Sequence, residues 1–164
     1  MKLIKSPDPV LTQVATEWNF GLEWPSADEL EDQMLDIMNQ SKGIGLAANQ
    51  VGVLKRVFCM RRASDGRAQA MFNPEVVNAS KELQIGEEGC LSFPDLWIEV
   101  ERPMKIDVKF LDKNAQECKM TLTGIDARCF LHELDHLNGI CFTDKVSQLR
   151  LAMARKNQVK QQRK

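Results

Sequence analysis

The chain has 164 residues, 43% of them hydrophobic and 27% charged, with a formal net charge of −1, which fits one soluble globular domain around a single core. No apolar run approaches the ~20 residues of a membrane span, and "MKLIKSPDPVL" carries proline and aspartate where a signal peptide needs continuous apolar residues, without the Arg/Ser-rich look of an organelle presequence. Five cysteines (Cys59, Cys90, Cys118, Cys129, Cys141), an odd number with no C-x-x-C pair, argue for reduced thiols and a cytoplasmic protein rather than a disulfide framework.

In chain order, "PSADELEDQMLDIMNQSKG" reads as the first helix. Ser26 and Glu29 stand at capping-box spacing, Leu30, Met34, Ile37 and Met38 form one apolar stripe, and Gly43 is the expected stop. "GIGLAANQVG" follows as a glycine-rich loop; it is too short for a phosphate-binding loop and lacks its lysine, so nucleotide binding is set aside. "VLKRVFCM" reads as a strand, and "AMFNPEVVNAS" as a short extended piece broken at Asn73-Pro74. "EEGCLSFPDL" has no regular period and reads as a loop. Beyond it, "LWIEVER", "MKIDVKFL" and "ECKMTLT" alternate apolar and polar residues, the mark of half-covered antiparallel strands, with "LDKNAQE" as the turn between the last two.

The next helix carries "FLHELDHLNG". Thr123 and Asp126 can cap its start, and Asn138-Gly139 can end it. Ile125, Cys129, His132 and His136 share one face, so this helix is the cover the strands need. "VSQLRLAMARKNQVKQQRK" is a last helical stretch. The expectation is α+β: antiparallel strands wrapped around a central helix with the HELDH motif, plus a C-terminal helix. Residues 1–146 form the main domain and 147–164 a basic tail. From residue 150 on there are six basic residues (Arg150, Arg155, Lys156, Lys160, Arg163, Lys164) and no acid, leaving −7 on the rest. Such a tail can meet RNA or another anionic partner; a solvated helix end is the plainer reading.

His132 and His136 are the only two histidines, one helical turn apart, with Glu133 beside them as a candidate base. A catalytic metal needs a third ligand. Zinc peptidases with this motif find theirs downstream, where this chain offers Asp144 as the only acid and Cys141 as the only other soft donor. Upstream, Cys90 in "EEGCLSFP" would complete a His₂Cys set with one position open to water; packing as a small buried hydrophobe is the competing reading.

"GIGLAANQVG", "EEGCLSFP" and "HELDHLNG", in this order, resemble the three signature motifs of peptide deformylases, over residues 1 to about 148. The resemblance implies a hydrolase that removes formate from the N-formyl-methionine of newly made chains. It implies Cys90, His132 and His136 as metal ligands, Glu133 as general base, and Gln50 with the backbone N–H of Leu91 as oxyanion donors. It implies one divalent metal, ferrous iron in the cell, with zinc, nickel or cobalt able to take its place. Ile44, Ile125 and Cys129 are the candidate walls of a methionine pocket, Gly45 offers the peptide close backbone approach, and Arg128 departs from the apolar residue expected near the pocket, placing a charge at its mouth that would select acidic or polar residues beyond methionine. Glu88 and Asp135 are candidates for orienting the ligands, with Arg102 as a partner for a buried Glu88. The expected partners are formyl-methionyl nascent peptides and, through the basic tail, the ribosome; a monomer with neither membrane nor DNA is expected, in a bacterial cytoplasm or in that of a bacterial host if the gene is viral. The rival readings are a metallopeptidase using Asp144 and a structural-metal module.

Overall fold

The structure, a computed structural model, describes residues 1–162, so Arg163 and Lys164 of the basic tail lie outside the described residues. The first helix, α1 (Ala27–Gln40), begins as its sequence asks: Ser26 Oγ accepts from Glu29 N–H, and the Glu29 carboxylate accepts from Ser26 N–H at 2.9 Å. Leu30, Met34 and Met38 are fully buried, and Ile37 partly so. The stop is not the one expected. Lys42 takes the left-handed conformation (φ +56°), while Gly43 lies against Leu91, where a Cβ would come within 2.7 Å of Leu91 Cδ1.

Strands β1 (Gly45–Ala47), β2 (Val57–Arg61), β3 (Ala68–Ala79), β4 (Leu83–Cys90), β5 (Phe93–Pro103), β6 (Lys105–Leu111) and β7 (Glu117–Thr123) pair antiparallel throughout. They make a five-stranded sheet in the order β1-β2-β3-β6-β7 and a separate β4–β5 hairpin. The glycine-rich loop is thus partly a strand, followed by a 3₁₀ turn at Ala48–Val51. Nor does Asn73-Pro74 end the extended piece: β3 runs through it, and the ladder to β6 slips between Phe72 and Glu75. Proline has no N–H for a ladder, so an irregular step suits it. The Asn73 amide instead pairs with the Trp18 backbone, accepting from its N–H at 2.8 Å and donating to its C=O at 3.0 Å.

Helix α2 (Gly124–Leu137) packs Ala127, Phe130 and Leu137 on one face of the larger sheet, against Phe58, Met60, Met71 and Phe110. On the other face α1 meets Val57, Cys59, Ala70 and Phe72. Alternation along β2 therefore sends successive side chains into two cores. Thr123 and Asp126 do not cap α2 with their side chains. The Asp126 carboxylate accepts from Ala63 N–H at 2.6 Å and Ser64 N–H at 3.2 Å, tying the first turn to the β2–β3 connection. Asn138-Gly139 does end the helix, with Gly139 at φ +71° against the Thr12 carbonyl. Helix α3 (Gln148–Gln161) lays Leu151 and Ala154 on a third cluster, Leu96, Ile98, Val100 and Phe142, under the β4–β5 hairpin. The expected α+β arrangement is observed, and its parts converge where β1, β4 and α2 meet.

Candidate metal centre

His132 and His136 project from one face of α2, their ring centroids 5.1 Å apart. Cys90 comes from the last residue of β4, not from a loop. The β4–β5 ladder slips beyond Gly89: Gly89 pairs with Trp97 and Cys90 with Phe93, so β5 loops out residues 94–96 and the chain reverses at Leu91 and Ser92. That reversal brings Cys90 Sγ to 3.2 Å from His136 Nε2. Ligand atoms of Cys90, His132 and His136 all lie within 4.8 Å of one another.

The donor set fits a metal. A tetrahedral ion with ordinary sulfur and imidazole bond lengths holds those atoms about 3.6 Å apart. His132 Nδ1 is taken by Glu88 Oε2 at 2.9 Å, which leaves Nε2 for the centre. Among the described residues, Glu133 Oε2 and His136 Nδ1 are buried without a protein partner. Unpaired buried polar atoms are costly, so the Glu133 oxygen, on the residue after His132 and in the cavity lining with Cys90, has a functional reading. Asp144 does not join them: its Oδ2 accepts from Cys141 N–H at 2.9 Å, closing a short 3₁₀ turn.

The electrostatics separate the carboxylates. Burial works to raise the Glu88 pKa, but hydrogen bonds from Arg102 and then His132 outweigh it and hold it at about 2. Burial alone dominates at Glu133, pushed up to about 7. The histidines diverge as well. Burial opposes charge on His132, yet the bonds to Cys90 and Glu88 push its pKa up to about 10; burial, then the His132 charge, drives His136 well below its ordinary value. His132 thus holds its proton between Cys90 and Glu88 in the metal-free protein, and metal binding would release it.

Gln50 is buried, not a surface amide. Its Oε1 accepts from Ala47 N–H at 2.8 Å, and its Nε2 donates to Ser92 Oγ at 2.9 Å and reaches Cys90 Sγ at 3.4 Å. Gly45 packs directly on Glu133; an added Cβ would overlap the carboxylate, with Cδ only 2.8 Å away. A cavity of about 580 Å³ opens over the centre, lined by Ile44, Gly45, Leu91, Trp97, Ile125 and Cys129 among others. Ile44 and Ile125 stand half exposed at its rim, and the Cys129 thiol donates to Ile44 C=O at 3.6 Å.

Arg128 corrects its expectation. It borders the cavity, but its guanidinium turns inward to Glu88 rather than out to the mouth, because a buried charge needs a partner and Glu88 supplies one at 2.9 Å. Glu88 and Arg102 form a buried ion pair that extends to the partly buried Asp135, with Arg102 Nη1 2.5 Å from Asp135 Oδ2. Sequence reasoning missed two buried residues, Ser92 beside Gln50 and Asn49, whose Nδ2 donates to His136 C=O at 2.8 Å. Both sit inside the motif segments, Ser92 marked by its polarity between Leu91 and Phe93 and Asn49 only by its place beside Gln50.

The family model described as polypeptide deformylase matches residues 1–152. The peptide deformylase of Rhizobium meliloti is 44% identical over 156 residues, covering 92% of this chain and 87% of that protein. Among solved structures, a peptide deformylase from Legionella pneumophila superposes with a TM-score of 0.88 at 35% identity, over 99% of this chain and 95% of that one. A probable peptide deformylase from Synechococcus phage S-SSM7 gives 0.81 at 41% identity, over 88% and 99%. The chain belongs to the polypeptide deformylase family.

Proposed function

We propose that this chain performs its family's reaction, removal of the formyl group from N-formyl-methionine on new polypeptides, with Cys90, His132 and His136 holding one divalent metal. The observation that carries the residue assignment is the convergence of those three donor atoms at a cavity also lined by Glu133, a buried carboxyl with an unpartnered oxygen. A metal bound there supplies Lewis acidity and makes a water easier to deprotonate near neutral pH. Glu133 would take a proton on Oε2 from the attacking water as the water oxygen bonds to the formyl carbon. The same carboxyl, which burial makes easier to protonate in the metal-free protein, would return that proton to the leaving amine as the C–N bond breaks and formate departs. Gln50 Nε2 exchanges its weak contact with sulfur for the developing oxyanion, and the Leu91 N–H is the second donor.

The methionine side chain enters the apolar part of the cavity, against Ile44, Ile125 and Cys129. Gly45 leaves room for the peptide backbone as well as for Glu133. Ferrous iron is the proposed cellular metal, consistent with a soft thiolate among the ligands. A reducing cytoplasm, bacterial or that of a virus-infected bacterial host, fits five free cysteines, one of them a ligand. The chain acts as a monomer in this reading. Among the described residues no helix is long and apolar enough to cross a membrane. The exposed Arg155, Lys156 and Lys160 on α3 support a ribosome contact as the finer part of the proposal.

The test is an anaerobic preparation loaded with iron or nickel and offered a formyl-Met tripeptide beside its unformylated twin. Formate release from the first without cleavage of the second is expected. Peptide-bond cleavage without formate would overturn the reading.

A further inference from the structure

The metal ligands come from two bodies that share no β-ladder: the β4–β5 hairpin supplies Cys90 and α2 supplies both histidines. Ligand geometry therefore depends on what fixes the hairpin to the helix. Arg128, one turn before His132 on α2, reaches across that seam. Its Nη1 donates to Val100 C=O at 2.7 Å, Glu88 Oε1 at 2.9 Å and Gly86 C=O at 3.2 Å, and its Nη2 to Gln84 C=O at 3.0 Å. Residues 84, 86 and 88 alternate along one face of β4, so one planar fork grips three successive inward positions. Gly86 fits it closely; an added Cβ would lie 3.2 Å from three guanidinium atoms.

The same carboxylate links Arg128 to the metal set. Arg128 and the Arg102 Nε share Glu88 Oε1, and Oε2 receives the Arg102 Nη2 and His132 Nδ1. With both oxygens pinned, Glu88 cannot rotate away from His132. We infer that Arg128 is a positioning residue for the metal centre: by clamping β4 and Glu88 to α2 it holds Cys90 and His132 in register before a metal arrives and slows the metal's escape. This rests on the metal-centre reading above and assigns Arg128 to metal retention instead of peptide selection.

The test follows loss of cobalt(II) to an excess of chelator, read from the thiolate charge-transfer absorption, which needs no peptide and no turnover. Arg128→Met should release cobalt about 10- to 100-fold faster than the wild type. Arg128→Lys, which keeps a charge near Glu88 but lacks the fork, should fall between. Leu122→Ala, a core truncation in the larger sheet, controls for lost stability and should release cobalt at the wild-type rate. Equal release from Arg128→Met and wild type, or from Arg128→Lys and wild type should the methionine variant not fold, overturns the inference. A wild-type chain that keeps cobalt but yields no formate removes the activity and leaves the Arg128 test standing; one that keeps no cobalt overturns both.

Discussion

Two buried regions of this molecule are built oppositely. The five-stranded sheet between α1 and α2 is dry: Phe58, Met60, Met71 and Phe110 on one face, Val57, Ala70 and Phe72 on the other. The seam where β4–β5 meets α2 is also buried, beneath the cavity, but holds Glu88, Arg102, Arg128, His132, Glu133 and His136. In the first, packing alone specifies the structure, and volume-conserving swaps are tolerated. In the second, each charge depends on its neighbour's presence and angle. The sheet supplies stability, and the seam holds reactive groups in positions they would leave if free.

The comparison breaks most sharply at the ligands. Cys90→Ser should abolish both formate release and cobalt retention, while Glu133→Ala should lower the rate about 10²- to 10⁴-fold and keep the metal; a metal-free Glu133→Ala would show that the carboxylate holds the ion instead. Gly45→Ala is expected to cost about 10²-fold in rate by displacing the Glu133 carboxylate, with metal binding unchanged. An unaffected rate would mean that Glu133 tolerates the shift.

Stability separates the regions next. Met71→Ala in the dry core and Glu88→Gln in the seam should each destabilise strongly, by about 2–5 kcal/mol and about 3–5 kcal/mol. Only Glu88→Gln should also weaken metal binding, by about 10- to 100-fold. Parallel metal loss in Met71→Ala would erase the distinction.

The smallest effects lie in the pH dependence of the metal-free protein, where the two glutamates oppose one another. Glu88, held at about 2 against an ordinary 4.5, contributes stability that is present above 4.5 and lost as pH falls toward 2. Glu133, raised to about 7, is tolerated while protonated below 4.5 and becomes a growing burden as pH rises through 7. Glu133→Gln should therefore raise the melting temperature of the metal-free chain at pH 8 and change little at pH 4.5. The Glu88→Gln deficit should shrink between pH 4.5 and pH 2. Melting curves at those pH values check both signs.

Local patterns carried much of this in the sequence itself. The Ser26–Glu29 box, the α1 stripe, the alternating strands around the "LDKNAQE" turn and the Asn138-Gly139 stop are read from neighbours within a turn or a strand. So is the offer of two histidines and a glutamate on one helix. Cys90 could not be placed beside the histidines from spacing, because its approach to them depends on a ladder slip opposite residues 94–96 that no local pattern shows. The family's motifs named it where spacing could not.

What only the tertiary structure decided is the partnering of charges. Arg128 reads as an exposed cation at a pocket mouth until β4 is seen to run beneath it with Glu88 facing inward. Asp126 reads as a cap until the β2–β3 connection arrives to take its oxygens. Periodicity tells which face of an element is buried, since apolar atoms need only be removed from water. A buried charge needs a particular opposite group at hydrogen-bonding distance, and for Arg128 and Glu88 that group lies 40 residues away in the chain.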